Sequence, residues 1–418
     1  MELRPGYKRT EVGVIPEDWE VHGLGDIGEA LIGLTYRPED VKEHGTLVLR
    51  SSNVQNDALA FADNVFVARK IPERIMVQPG DVLVCVRNGS RDLIGKAALL
   101  DERTVGMTFG AFMAVYRSPI GVLASYLFQS SVLKRQINEH LGATINQITN
   151  KSLNSFKIPL APEDDEQRAI ARALGDVDAL LVGLDRLIAK KRDLRQAAMQ
   201  NLLTGQTRLP GFAGEWEMRR LGEIGTFLKG SGVRRDQALS GVLPCVRYGE
   251  IYTSHQDIIR NFSSWISAEV AATATSLRRG DILFAGSGET KEEIGKCVAF
   301  ATEHEAYAGG DIVILRQRGQ NPVFLGYVLN TPPIVRQKAN RGQGDAVVHI
   351  SASALASVEV HLPREAEQTA IAEVLSDMDA NLAALESRRD KTRALKQAMM
   401  QELLTGNIRL PIPESADA

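Results

Sequence analysis

Cysteine is scarce and scattered. Cys85, Cys245 and Cys297 are odd in number, and no CxxC or Cys/His ligand spacing joins them. A disulfide framework and a structural zinc are therefore not expected, and no metal site is assigned. The seven histidines (His22, His44, His140, His255, His304, His349 and His361) form no triad or ligand spacing, and most are expected at the surface. No apolar run of about 18 residues occurs, and the opening stretch MELRPGYKRTEVGVIPEDWEV has no apolar signal core. The expectation is a cytoplasmic protein. A charge excess is missing too: the net charge of −3 gives no bulk electrostatic argument for nucleic acid or for membranes.

Catalytic motifs are absent in the same way. Asn321-Pro322-Val323-Phe324 is close to the Asn-Pro-Pro-Phe motif of amino-methyltransferases, but its third position departs and no Gly-rich cofactor loop accompanies it. A turn leading into a helix near Leu325 is the expected role. Ile94-Gly95-Lys96 and Ile294-Gly295-Lys296 share their ending with phosphate-binding loops. However, Ser90 or Thr290 stands five residues before each glycine where a glycine is required, and Ala97 or Cys297 follows where Ser or Thr is required. The acidic pair Glu292-Glu293 lacks a partner pattern. With no credible catalytic constellation, the expected function is binding.

What is present is duplication. The 45 residues Glu166–Pro210 recur as 367–411 at a constant offset of 201 without a gap. Both copies carry E-Q-x-x-I-A near the start and L-L-T-G-x-x-R-L-P at the end. A period of this length is a domain plus a helix, too long for a solenoid repeat. The preceding region is duplicated more loosely. W-E-V-x-x-L-G-D-I-G at 19–28 returns as W-E-M-R-R-L-G-E-I-G at 216–225. Within each copy, strand-like runs at 47–50 and 244–247 are followed by Gly-Asp turns into strands at 80–84 and 280–284. Polar glycine-bearing loops at 87–91 and 286–291 end in Ile-Gly-Lys, and a further strand follows at 112–116 or 312–316. A short helix is then expected near 126–136 or 327–337. Short strands with glycine turns and a helix or two predict an α+β domain, here two in tandem. The loops at 51–66 and 248–264, and the tails at 141–149 and 342–350, share almost no sequence. Two sites for different ligands would produce this pattern, and so would drift of a duplicate.

The repeated segment reads as a long helix. Pro162 and Pro363 stand near the first turn, and acidic residues gather there. Ile170, Leu174, Val177, Leu181, Leu184 and Ile188 step alternately by four and three, as do Ile371, Leu375, Met378, Leu382 and Leu385. Basic residues crowd the C-terminal halves, and Gly205 and Gly406 read as stops. Two equal apolar seams in one chain are expected to pack on each other. An antiparallel coiled coil relating the domains by a pseudo-two-fold axis is the favoured arrangement, with parallel packing the competitor. The resulting division is 1–161 (amino-terminal segment and first domain), 162–205 (helix), 206–362 (second domain), 363–406 (helix) and 407–418 (tail).

This order of motifs resembles the specificity subunit of type I restriction-modification enzymes. The resemblance rests on G-x-I-P-E-D-W-E-V at 13–21, the G-D-[VI]-L and I-G-K landmarks and the repeated E-Q-x-x-I-A helix, and it spans essentially the whole chain. It implies a non-catalytic chain with two target-recognition domains, each reading one half of a split, asymmetric duplex DNA sequence. It also implies helices that fix the gap and dock two methyltransferase subunits, with restriction-translocation subunits added to these. S-adenosylmethionine, ATP and magnesium would then belong to partner chains, and this chain would carry no cofactor. Residue types that read bases on such loops are Arg, Lys, Asn, Gln, Ser and Thr. In the first copy these are Arg50, Ser51, Ser52, Asn53, Arg87, Asn88, Ser90, Arg91, Lys96, Thr144 and Asn146. In the second they are Arg247, Tyr248, Ser287, Thr290, Lys291, Lys296, Arg341 and Gln343. Arg50/Arg247 and Lys96/Lys296 occur in both copies and suit phosphate contact or a structural role. The competing readings are a coiled-coil scaffold whose domains bind peptide or RNA, and an unrecognised enzyme.

Overall fold

The computed structural model describes residues 3–143, 146–344 and 347–411. It divides into two compact units, 1–185 with 387–418, and 186–386. The division falls inside the two long helices, Asp164–Leu202 and Glu365–Leu403. Each unit therefore contains one α+β domain, the near part of one helix and the far part of the other.

In the first unit the central antiparallel sheet runs in the order Ala97–Leu99, Val82–Cys85, Met113–Arg117, Glu29–Ile32. Val82–Cys85 and Met113–Tyr116 are fully buried, which explains why they read as continuous apolar runs: both faces of the sheet are covered. Val82, Val84, Ala114 and Tyr116 point into one core, and Leu83, Cys85, Met113 and Val115 into a second. The second core lies under a smaller sheet ordered Thr108–Phe109, Thr46–Leu49, Phe66–Val67, Val41–Lys42. Glu20–Gly23 pairs with Lys157–Leu160, bringing the two ends of the domain together beneath the helix.

The second unit repeats the plan with one more strand. Its central sheet is Gly225–Lys229, Ile312–Gln317, Asp281–Ala285, Cys297–Ala299, Asp257–Ile258. Ile282, Phe284, Val313 and Leu315 face one core, and Leu283, Ala285, Ile312 and Ile314 the other. Glu217–Arg220 pairs with Glu359–Leu362 as the closing ribbon.

The Gly-Asp landmarks are structural. Asp81 and Asp281 are buried, and each accepts a bidentate pair from an arginine, Arg117 (2.8 and 2.7 Å) or Arg316 (3.0 and 2.8 Å). The short helix expected near 126–136 is in fact two, Gly121–Gln129 and Ser131–Ala143. Its counterpart is Pro322–Val328 and Pro332–Ala339. The break falls at Ser130 or Thr331, whose hydroxyl donates to a backbone carbonyl three residues back, and Pro332 has no N–H to continue the first helix. Asn321 caps the Pro322 helix by accepting from the Phe324 N–H at 3.0 Å, the structural role expected of that motif. His255 is buried rather than at the surface, and desolvation holds its pKa below the ordinary histidine value.

The repeated helix motif explains itself within each unit. Glu166 and Glu367 are buried, and each binds the arginine of an L-L-T-G-x-x-R-L tail: Glu166 takes Arg409, and Glu367 takes Arg208. Those arginines lie over Trp19 and Trp216, both with guanidinium-to-ring distances of 5.9 Å. Gln167 and Gln368 donate to the carbonyls of Ala161 and Pro363, tying down the start of each helix. Gly205 and Gly406 adopt φ of +70°, the left-handed conformation that ends a helix. Ile170, Leu174, Leu184, Ile188, Ile371, Leu375 and Leu382 are buried, and Val177, Leu181, Met378 and Leu385 are half-buried. Ile170 and Leu174 belong to the first domain's core together with Met400, Leu403 and Leu404. Ile371 and Leu375 do the same in the second with Leu202 and Leu203. Among the described residues no helix is long and apolar enough to cross a membrane.

Candidate nucleic-acid interface

In the first domain, Val82–Cys85 ends where Val86 and Arg87 both donate backbone N–H to the Phe112 carbonyl at 3.1 Å. This places Arg87 at the end of the central sheet. Its guanidinium lies 5.2 Å from the centroid of the Phe112 ring, which is 59% exposed. Such a planar cation on an aromatic face is a surface that can stack against or hydrogen-bond a base. Arg87 is also bridged to Gln147 across an antiparallel contact. The next residue, Asn88, donates to Ser51 Oγ at 3.3 Å and accepts from the Ser90 N–H. The fold thus gathers Ser51, Arg87, Asn88 and Ser90, with Asn146 exposed beside Gln147.

Other expected residues are committed elsewhere. Asn53 is fully buried. It accepts from the Arg50 N–H and donates to Ala60 O, Asp63 O and Asn64 Oδ1, so it holds the loop. Arg50 pairs with Asp63 at 2.7 Å, and its Nη2 reaches Ser52 Oγ at 3.5 Å. Arg91 donates to the Asn138 carbonyl at 3.1 Å. Lys96 is half-buried behind Gly95. Thr144 lies outside the described residues.

The second domain builds the equivalent place differently. Ser287, after Asp281–Ala285, pairs in a short ladder with His349, and its Oγ lies 2.9 Å from His349 Nδ1. His349 is in turn backbone-paired with Gln343 in both directions. Lys229, Ser287, Asp311, Arg341, Gln343 and His349 line a cavity of about 210 Å³. Tyr252 supports the site from behind. Its hydroxyl donates to the Ser287 carbonyl at 3.1 Å, and its own carbonyl accepts from Lys296 at 3.3 Å. Burial pushes the Tyr252 hydroxyl up to about 12, so it remains a donor at neutral pH.

Two expected arginines here are structural. Arg247 is occupied by buried Glu250 and by Ser264, and Arg341 by Ser357 and the Gln337 carbonyl. Both guanidinium groups are held on several acceptors within the domain, which for Arg247 fits the structural role that its recurrence suggested. Thr290 donates to Glu293 at 3.3 Å, while Lys291 and Tyr248 are exposed. Phe112, Gln147, Lys229, Tyr252 and His349 were not anticipated. Gln147 and His349 do lie in the position-matched tails that differ between copies, a signal that could have found them.

A family model described as the type I restriction modification DNA specificity domain matches residues 16–190 and 213–393. The chain is 26% identical over 308 residues to the type I restriction enzyme EcoKI specificity subunit of Escherichia coli (strain K12), covering 68% of this chain and 65% of that protein. It thus spans just under two thirds of that relative. It is 24% identical over 342 residues to the StySPI specificity subunit of Salmonella potsdam, covering 76% and 72%. It is 24% identical over 438 residues to the putative MjaX specificity subunit of Methanocaldococcus jannaschii, covering 97% of each. In fold it is similar to a type I restriction-modification S subunit from M. genitalium, with a TM-score of 0.58 at 14% identity over 96% of this chain and 98% of that one. A chain from a type I R-M system structure gives a TM-score of 0.53 at 18% identity, covering 94% and 99%.

Proposed function

We propose, from the premise that the chain belongs to the type I restriction-modification DNA specificity family, that its two domains each read one half of a bipartite, asymmetric duplex site. In that family the specificity subunit is the non-catalytic part of the enzyme. The observation that carries the reading is one scaffold built twice, with different chemistry at the same end of the central sheet: Arg87 on Phe112 in one copy, Ser287 with His349 in the other. The Asp–Arg forks, the buried helix-start glutamates and the Tyr–Asp contacts recur in both copies, while this place and the neighbouring loops differ.

The long helices form an antiparallel coiled coil in this reading, with Ile170, Leu174, Val177, Leu181, Leu184, Ile188, Ile371, Leu375, Met378, Leu382 and Leu385 as its seam. Ion pairs within each unit support that direction. In the first, Asp178 meets Lys396 and Asp185 meets Arg389. In the second, Arg192 meets Glu386 and Arg195 meets Asp379. Residue numbers rise on one helix as they fall on the other. The pair sets the gap between half-sites and docks two methyltransferase subunits, which the restriction subunits join. S-adenosylmethionine, ATP and magnesium act on those partners.

The test is exchange. Replacing 19–160 or 212–362 with the equivalent domain of another specificity subunit, and sequencing the methylated sites of the assembled complex, should change one half of the motif and leave the other half and the gap intact. A single contiguous motif, or both halves changing together, would refute the reading.

A further inference from the structure

The cleft of the second domain brings together side chains able to donate to a base edge. Ser287 and His349 are cross-strand partners, so their side chains share a face, and Ser287 Oγ meets His349 Nδ1 at 2.9 Å. Ser287 is buried while His349 is exposed. With Ser287 as the donor to Nδ1, the ring proton sits on Nε2 and makes that nitrogen a donor. Lys229, exposed at the end of its strand, lines the same cavity and is a donor only. Arg341 lines it too, but its guanidinium is spent on Ser357 and Gln337. The lining thus offers two donors of different kinds from two different sheets, beside the Asp311 carboxylate and the Gln343 amide.

Guanine is the base whose major-groove edge presents two adjacent acceptors, O6 and N7. We propose that His349, held by Ser287, and Lys229 together read a guanine in the half-site recognised by the second domain. This rests on the reading of that domain as a DNA reader and adds the residues and the base. In the first domain Arg87 on Phe112 and Gln147 stand at the positions matching Ser287 and His349, so a base there is met by other groups. The two halves of the site are therefore read by different chemistry from one framework.

The experiment uses the complex of this chain with its methyltransferase subunits, acting on a duplex library in which each half-site position carries all four bases. His349→Ala should reduce the preference for guanine roughly tenfold at one position of the second half, a loss in the range of a major-groove contact. Lys229→Ala should relax the same position. His349→Gln, which restores a donor, should recover part of the preference. An unchanged first-half preference in each variant shows that the chain is folded and assembled. Full retention of the second-half motif by His349→Ala overturns the proposal, as does relaxation at a position that is not guanine, or at different positions for the two variants. A wild-type complex that methylates no two-part site overturns the underlying reading instead, and so is distinguishable.

Discussion

Lys338 shows at residue scale what the duplicate domains allow. It is buried, its ammonium donates to the carbonyls of Gly295 (2.6 Å) and Leu329 (2.9 Å), and among the described residues no carboxylate pairs with it. Desolvation holds its pKa below the ordinary lysine value. The first domain has Ile137 at the corresponding position, packed on Gly95 as Lys338 is packed on Gly295. Both glycines sit at positive φ, so the Ile-Gly-Lys landmark marks a turn against a helix rather than a phosphate loop. A folded-state pKa below the unfolded one means that the unfolded chain binds more protons in the window between them. Stability therefore rises with pH across that window, and below it the buried charge is a standing cost. Lys338→Met should raise the melting temperature at neutral pH by roughly 2–4 °C, as expected for about 1 kcal/mol in a domain of this size. The gain should shrink as the pH approaches about 10.4, the unfolded lysine value. A variant less stable than wild type at every pH would show that the two carbonyl bonds outweigh the desolvation. Sequence could not separate such residues by role. Arg50, Asn53, Arg247 and Arg341 are types that read DNA, yet Asp63, Asn64, Glu250 and Ser357 occupy them across 13, 11, 3 and 16 residues. Whether a polar side chain is free depends on contacts that the linear pattern does not encode.

At the scale of elements, the helices were the most legible part. Their caps, seam and glycine stops are local, and the four-and-three spacing survives wherever the helix is placed. What the repeat did not reveal is which copy completes which. Glu166 is bound by Arg409 and not by Arg208 of its own repeat, and Tyr126 meets Asp178, which pairs with Lys396. Identical motifs leave that choice to tertiary packing. The split of each short helix had a local signal that a single-helix reading passed over: Gln129-Ser130-Ser131 and Asn330-Thr331-Pro332-Pro333 interrupt the apolar run at the break. The opposed ion pairs give the element-scale prediction. Four residues add about 6 Å of helix, or about two base pairs at roughly 3.4 Å each. Inserting four residues near Lys190 and near Lys391 together keeps the helices in step. It should lengthen the gap in the methylated motif by about two base pairs and leave both half-sites unchanged. An insertion in one helix alone should instead lower stability and methylation, since pairs such as Arg195–Asp379 fall out of register. A double insertion that changed the half-sites but not the gap would end the idea of a ruler.

For the whole molecule, the decisive quantity is charge. Residues 19–160 hold 15 Lys and Arg against 14 Asp and Glu, and 212–362 hold 16 of each. Several of those cations are committed inside the fold, among them Arg50, Arg117, Arg247, Arg316 and Lys338. Phosphate neutralisation supplies most non-specific affinity for DNA and sets its salt dependence, with a slope near −0.9 per phosphate contacted. A chain with so few uncommitted cations should therefore contact few phosphates alone. Its isolated affinity should be weak, with a log–log salt slope shallower than about −3 by that rule. Addition of methyltransferase subunits should steepen the slope as well as tighten binding, because the missing phosphate contacts come from the partners, while discrimination between half-site sequences stays with this chain. Titration of a labelled duplex between low and physiological salt, with and without the partner, separates the two contributions. Tight, steeply salt-dependent binding by the isolated chain would mean that cations now assigned to structure are reaching DNA. The division of labour between a neutral reader and charged partners would then fall.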